Sequence, residues 1–265
     1  MKKYLIIGKP IEHSLSPKIH NYWFKNNNVN AVYEKLSPEE DQLKRIIEQI
    51  RDNDICGINV TVPYKQSIIP FLEDRSDLVR QTNSVNTIFK KNGKIYGDNT
   101  DVFGFEKSIT NKKIEIKDKS IFILGAGGVV PSIISALENL KVGKIILSNR
   151  TLKKAEKIQK NFHKIKILEW GKIENFDIFI NATSIGLKKS DTLKFDFTKL
   201  SGNKVFYDVI YNPSKTNFLK EASKLGHITI NGRDMFLYQA QKAFKIWHNI
   251  LPNIDEKLLK YLYND

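Results

Sequence analysis

Cysteine is nearly absent. The chain of 265 residues holds one, Cys56, which excludes an intrachain disulfide framework and a cysteine-built zinc site, so no metal is expected and a reducing, cytoplasmic setting is. Long apolar runs are missing too. None approaches the roughly 18 to 20 residues that span a bilayer. The first apolar run, Tyr4 to Ile7, stops at Gly8 and is too short for the core of a signal peptide, so no membrane partner is expected. Arginine is scarce: six of the 43 basic residues, against 29 acidic residues, for a net charge of +14. The lysines are scattered, as at Lys112-Lys113 and Lys153-Lys154, without a long basic block or readout motif, so nucleic acid is not an expected partner. Biased genome composition is the simpler account of such a charge, ahead of a field that draws small anions. By itself it names no partner.

What is present describes an ordinary globular chain, 41% hydrophobic and 11% aromatic, with a mean hydropathy of -0.37. At roughly 150 residues per domain, the length suggests two domains. Tyr4 to Ile7 reads as a strand; Ser16-Pro17 reads as an N-cap with proline at the first helical position; Ser37-Pro38-Glu39-Glu40 opens a second helix with Leu43, Ile46, Ile47 and Ile50 on its apolar face. Ile58 to Val62 reads as a strand, and Lys91-Asn92-Gly93 as the turn of a hairpin between Ser84 to Phe89 and Lys94 to Tyr96. From Ser120 onward, apolar strands (121–124, 144–147, 178–180, 205–207) alternate with helical segments, a βαβ rhythm that predicts a parallel, doubly wound sheet. Helices return at 235–248 and 256–263. The expected division is a first α/β domain over 1–101, onto which the segment 237–265 packs back, and a Rossmann-like domain over 102–236, with 101–108 as the crossing segment.

A strand that ends in Gly125-Ala126-Gly127-Gly128 and feeds a helix is a device for holding a pyrophosphate. Glycines let the backbone turn tightly and approach the anion, whose charge is met by free N–H groups at the helix N-terminus. The usual small residue at the third position is replaced by Val130. The next strand ends in Ser148-Asn149-Arg150-Thr151, where an NAD-binding chain carries an acid for the ribose hydroxyls. No acid stands there; Arg150, with Lys153 and Lys154 nearby, suits the 2′-phosphate of NADP.

The densest polar cluster lies in the first domain, at Ser14 to Pro17, Asn59 to Lys65, Asn86-Thr87 and Gly97 to Asp101. If 58–62 is a strand, Asn59 and Thr61 project to one face and Val60 and Val62 to the other. Buried polar groups need partners, and a polyhydroxylated small molecule would supply them. Helix capping by Ser16 and backbone satisfaction by Asn59 are the alternatives. His13 and His20 are expected in helix-surface or capping roles.

These motifs together resemble the shikimate dehydrogenase family. Gly8 to Pro17, Asn59 to Lys65, Val85-Asn86-Thr87, Asn99-Thr100-Asp101, Gly125 to Gly128, Asn149-Arg150-Thr151, Asn181 to Ser184, Tyr211-Asn212-Pro213 and Gly232 to Met235 with Gln239-Ala240 match in order along nearly the whole chain. The resemblance implies reversible NADPH-dependent reduction of 3-dehydroshikimate to shikimate on the route to aromatic amino acids, in a substrate domain facing a Rossmann domain across a cleft. It implies Lys65 and Asp101 as the catalytic pair and Ser14 and Ser16 on the substrate carboxylate. Asn59, Thr61, Asn86, Asp101 and Gln239 then bind ring hydroxyls, and Tyr211 lines the substrate pocket. It implies cofactor contacts at Gly125, Ala126, Gly127, Gly128 and Val129, at Asn149, Arg150, Thr151 and Lys154, and at Thr183, Ser184 and Gly232. A monomer or homodimer is expected. Tyr64 stands where the family commonly has His, Leu187 where Met is frequent, and Asn83-Ser84 where Gly-Ala often precedes the Val-Asn-Thr motif. Serine at both Ser14 and Ser16 favours shikimate over quinate. A quinate/shikimate dehydrogenase using either nicotinamide cofactor and a non-catalytic NADPH-binding regulator are the competing readings.

Overall fold

The computed structural model describes residues 1–263 apart from 189, 194, 199 and 201, so the last two residues of the segment expected at 237–265 lie outside it. The chain forms two compact units: Met1–Gly104 with Leu237–Asp265, and Phe105–Phe236.

In chain order the first unit contains β1 (Lys2–Ile7), α1 (Ser16–Asn26), β2 (Ala31–Leu36), α2 (Leu43–Arg51), β3 (Gly57–Val60), β4 (Asp74–Arg75), α3 (Asp77–Thr82), β5 (Thr87–Lys91), β6 (Lys94–Asp98) and the first turns of α4 (Thr100–Thr110). They build a mixed sheet in the order β2-β1-β3-β5-β6-β4. β2, β1 and β3 are mutually parallel, as strands joined by crossover helices must be, whereas β5 runs antiparallel to both β3 and β6. The β5–β6 hairpin turns on Asn92-Gly93, both at positive φ, the geometry that matches the right-handed twist of the paired strands. Residues alternate between the two faces of the sheet. Leu5, Ile7, Ile58 and Val60 join Leu43, Ile46, Ile47 and Ile50 of α2 in one apolar cluster, each such side chain contributing roughly 1.5–3 kcal/mol by its burial. Tyr4 and Tyr33 belong to an aromatic cluster with His20, Phe24, Phe244 and Trp247.

Several local expectations are corrected. The hydroxyl of Ser16 makes no cap: the helix begins at Ser16 itself, the N-cap position is Leu15, and the Ser16 N–H donates to Ser14 Oγ at 3.3 Å. The second helical segment opens on Glu39 rather than Ser37, with Gln42 Oε1 accepting from the Glu39 N–H at 2.9 Å, and a 3₁₀ turn precedes α2. β3 ends at Val60, so Thr61 lies beyond the strand and Val62 is exposed instead of sharing a buried face with Val60. The segment expected as the crossing, 101–108, is not among these corrections; it forms part of α4, and the division between the units falls after Gly104. His20 is wholly buried; burial holds its pKa down to about 3, so it is a neutral member of the aromatic cluster and not a surface residue.

The second unit contains β7 (Ser120–Leu124), α5 (Val130–Asn139), β8 (Lys144–Ser148), α6 (Leu152–Gln159), β9 (Ile165–Leu168), β10 (Ile178–Asn181), β11 (Val205–Asp208), α7 (Asn217–Lys224) and β12 (Ile228–Ile230). The final helices are α8 (Arg233–His248), within which the division between the units falls, and α9 (Glu256–Tyr263) of the first unit. All strands of this sheet are parallel, in the order β12-β11-β10-β7-β8-β9. That is the doubly wound order of a Rossmann sheet, and the winding reverses between β7 and β10. Phe122, Phe179, Phe206 and Phe218 fill its core, which is why these short strands read as continuous apolar runs. Among the described residues no helix is long and apolar enough to cross a membrane.

Candidate active site

Topology collects the polar segments of the first unit at one edge of its sheet. The parallel strands β1 and β3 both finish there; β5, antiparallel to β3, starts there; β6, antiparallel to β5, finishes there. The register places Asn59 opposite Thr87, and Thr87 opposite Asp98.

At that edge Lys65 Nζ and Asp101 Oδ2 form an ion pair with side chains only 8% and 7% exposed. Desolvating two charges costs several kcal/mol apiece, so a buried pair is poor evidence for stability and good reason to look for function. Asp101 sits in the first turn of α4, where the helix dipole favours its charge. Its N–H donates to Asn99 Oδ1 at 3.0 Å, and Asn99 Nδ2 donates to Thr82 Oγ1 at 3.1 Å and to the Ser84 carbonyl at 2.9 Å. The second carboxylate oxygen, Oδ1, accepts from Asn86 Nδ2 at 2.9 Å. Asn86 is held in turn: Nδ2 also donates to Thr100 Oγ1 at 2.9 Å, while Oδ1 accepts from the Thr100 N–H at 2.7 Å and from the Thr87 hydroxyl at 3.0 Å. The Lys65 carbonyl takes the Val85 N–H at 2.9 Å, tying the lysine's segment to that of Asn86.

Four expected residues, Lys65, Asp101, Asn86 and Asn59, therefore share one buried network. Ser14 and Ser16 stand together beyond β1, and the Thr61 N–H donates to the Ile7 carbonyl of β1 at 2.9 Å, at the same edge. Gln239 is half-buried on α8. Tyr211 belongs to the second unit, stacked on Phe236 with ring centroids 4.5 Å apart. Sequence reasoning missed Tyr33, whose hydroxyl donates to Asn59 Oδ1 at 2.7 Å across 26 residues of chain.

In the second unit the glycine-rich turn follows β7 at the reversal point of the sheet. Gly125 has φ +112°, and a Cβ there would lie 2.8 Å from the Ala182 carbonyl oxygen beyond β10, so only glycine lets the two turns approach. Among the described residues the N–H groups of Ala126 and Gly127 have no partner within the protein. Val130, the departure from the small residue, is fully buried at the start of α5. Arg150, Lys153 and Lys154 are exposed beyond β8, and among the described residues none has a carboxylate within ion-pair distance. Open backbone donors beside a side-chain-free turn, followed by uncompensated cations, fit a phosphorylated dinucleotide. Thr183 is set by Asn181, whose Oδ1 accepts from the Thr183 hydroxyl at 2.7 Å and from its N–H at 3.1 Å. A Cβ on Gly232 would lie 2.1 Å from the Val209 carbonyl oxygen, which seats that residue against the end of β11. Among the described residues no group of His, Cys, Asp and Glu is arranged to hold a metal ion.

Sequence reasoning missed Asp208, although an acid ending an apolar strand, here β11 next to β10, is a readable signal. It is buried and accepts from Thr216 Oγ1 at 2.6 Å, the Ile210 N–H at 3.0 Å and Asn181 Nδ2 at 3.2 Å. Burial pushes its pKa up from 3.8 to about 6, against those three donors. The folded state thus holds this proton more tightly than the unfolded chain. The stability it contributes is fully present below the ordinary carboxylate pKa and is lost as pH rises through about 6. Asp208→Asn removes that dependence, so the variant is expected to gain on the wild type between pH 4 and 7, by at most about 3 kcal/mol. Urea midpoints of both proteins across that range test it; a constant difference between them contradicts it.

A chain that joins a doubly wound nucleotide-binding unit to a unit carrying a buried lysine–carboxylate pair has the makings of a nicotinamide-dependent oxidoreductase. Comparison with known proteins narrows the class. Residues 6–88 match the shikimate dehydrogenase substrate binding domain, and residues 107–190 match the family described as shikimate / quinate 5-dehydrogenase. The shikimate dehydrogenase (NADP(+)) of Pelagibacter ubique is 52% identical over 261 residues, 98% of either chain. A shikimate dehydrogenase crystallised in complex with NADP+ superposes with a TM-score of 0.92 at 36% identity, covering 100% of this chain and 95% of the other. The Thermus thermophilus enzyme, in complex with NADP(H) and shikimate, does so with a TM-score of 0.89 at 26% identity, covering 100% and 99%. With such identity along its full length, this chain belongs to the shikimate dehydrogenase family.

Proposed function

We propose that the chain catalyses the reversible NADP-dependent interconversion of shikimate and 3-dehydroshikimate. The observation that carries this reading is the buried Lys65–Asp101 pair in a chain 52% identical, end to end, to a named shikimate dehydrogenase. Ser14 and Ser16 bind the substrate carboxylate; Asn59, Thr61, Asn86, Asp101 and Gln239 address the ring hydroxyls; Tyr211 lines the pocket. In the turn from Gly125 to Val129, the open N–H groups of Ala126 and Gly127 meet the pyrophosphate, and Asn149, Arg150, Thr151 and Lys154 hold the phosphorylated ribose. Thr183, Ser184 and Gly232 stand at the nicotinamide end. The first unit is the substrate unit and the second the nucleotide unit.

When bound, NADP supplies the electrophilic ring that takes up a hydride, or, reduced, returns it. The protein's own task is the proton. As the C–H electron pair leaves the carbinol carbon, the O–H pair becomes the second bond of the ketone and its proton must be accepted; in reduction a proton must be delivered to the forming alkoxide. Lys65 has three N–H positions, of which one is turned to Asp101. The carboxylate holds the amine in place, leaving its other positions for the substrate oxygen.

A lone half-buried cysteine fits a reducing cytoplasm, and a monomer or homodimer is the assembly to test by light scattering. The decisive assay follows absorbance at the reduced-nicotinamide band. Shikimate with NADP is expected to give kcat/KM at least roughly tenfold above quinate with NADP or shikimate with NAD. Equal use of quinate and NAD would point to the broader quinate/shikimate activity, and cofactor binding without turnover to a regulator.

A further inference from the structure

We infer that Tyr33 is a positioning residue for the Lys65–Asp101 pair, acting through Asn59, Thr87 and Asn86; the inference rests on the functional reading above. Asn59 has no amide hydrogen to offer a ligand. Its Nδ2 donates to the Asn86 carbonyl at 3.0 Å and to Thr87 Oγ1 at 3.1 Å, and its Oδ1 accepts from the Tyr33 hydroxyl. The Asn86 carbonyl can only accept, so it fixes which way the Asn59 amide faces, and the Tyr33 hydroxyl completes that orientation from the other side. Thr87, having accepted from Asn59, donates to Asn86 Oδ1, and Asn86 Nδ2 donates to Asp101 Oδ1. An unbroken path of hydrogen bonds thus runs from one phenol to the carboxylate that holds the lysine.

The mounting of Tyr33 is the second observation. It lies on the edge strand β2, and is the one residue of that strand's six that is buried. Asn21 clamps its backbone twice, donating to its carbonyl and accepting from its N–H, both at 2.9 Å. The neutral ring of His20 stacks on it at 4.4 Å with an interplanar angle of 3°. A phenol gripped by backbone, ring face and hydroxyl has little freedom, which is what a group that locates others within a fraction of an ångström requires. Both amide hydrogens of Asn59 thus serve this path, and what it keeps for a ring hydroxyl is the second lone pair of Oδ1.

Tyr33→Phe removes only the hydroxyl. It is expected to lower kcat roughly tenfold while leaving KM for shikimate within about twofold, because the interaction lost serves the geometry of the pair and not substrate binding. NADPH affinity, read by fluorescence titration, is expected to stay at the wild-type value. Asn59→Ala combined with Tyr33→Phe is expected to be no slower than Asn59→Ala alone, since both act along one path. Unchanged kcat, effects that multiply, or a fall in NADPH affinity matching the fall in kcat each overturn the inference. The wild type is assayed alongside. Should it fail to oxidise shikimate with NADP, the functional reading falls, and a crystal structure of Tyr33→Phe decides the positioning role separately: loss of the Asn86–Asp101 contact upholds it, and retention overturns it.

Discussion

Replacing Lys65 with alanine is expected to cut turnover at least about a hundredfold, the scale of a lost general acid–base, with a modest change in the Michaelis constant for shikimate. Asp101 is fully engaged by Asn86 and by its place at the start of α4, so it remains where it is after the lysine goes. Apart from Asp101 itself and the remote Tyr33 phenol, the buried network offers no group to take over the proton: Asn59, Asn86 and Asn99 are amides, and the hydroxyls of Thr87 and Thr100 are committed to Asn86. The ground-state anchors proposed at Ser14 and Ser16 are untouched, which is why the loss falls on kcat. Removing one partner of a buried ion pair leaves an uncompensated charge and costs roughly 3–5 kcal/mol of stability, so the variant is compared with wild type well below its unfolding temperature. Lys65→Arg keeps the charge but not a group that can give up its proton, and is expected to remain slow. Near-normal turnover in Lys65→Ala would reject the lysine as the acid–base group.

Arg150→Ala is expected to raise the Michaelis constant for NADP at least about tenfold and to affect NAD little, the magnitude of one charge-assisted bidentate contact to a phosphate. Arg150 is exposed and, like Lys153 and Lys154, has no carboxylate partner among the described residues, so its guanidinium is free to meet an anion. The segment Ser148 to Thr151 that ends β8 carries no acid to bind an unphosphorylated ribose in its stead. Exposed charges are screened by salt, so the effect is expected to shrink between low ionic strength and about 0.5 M, where the Debye length falls to a few ångströms. Folding stability is expected to be unchanged, because no intramolecular ion pair is lost. Equal effects on both cofactors would contradict the assignment.

The nucleotide-binding unit was the more legible half. Ile121 to Leu124 runs into a glycine turn and then a helix, and each of these signals is carried by neighbours in the chain, so the parallel sheet, the turn and the cation after β8 could be read in order. Sequence pattern does not reveal the edge strands β9 and β12, which at four and three residues are too short to show a periodicity and are fixed by pairing with β8 and β11; sequence reasoning also missed the eight-residue helix α7. In the first unit neither Ser16 nor Ser37 is the cap that the sequence suggests. Ser14 and Gln42 offer the backbone alternative partners that local pattern does not rank against a side-chain cap. β3 was drawn two residues too long because Val62 looks like strand, yet its side chain faces solvent.

Residue types and their order along the chain sufficed for the cofactor class, because glycine turns, apolar runs and missing acids act over a few residues, and for a family resemblance that in turn singles out Lys65 and Asp101 as candidates. Folding in three dimensions determined which of the polar groups are spoken for. Lys65 and Asp101 are 36 residues apart, Asn59 and Tyr33 26 apart, and both pairings arise only because β1, β2, β3, β5 and β6 lie side by side. Hydrogen bonds in a dry interior are exclusive: a donor already given to one acceptor is withdrawn from every other, and that allocation is written in space and not in spacing.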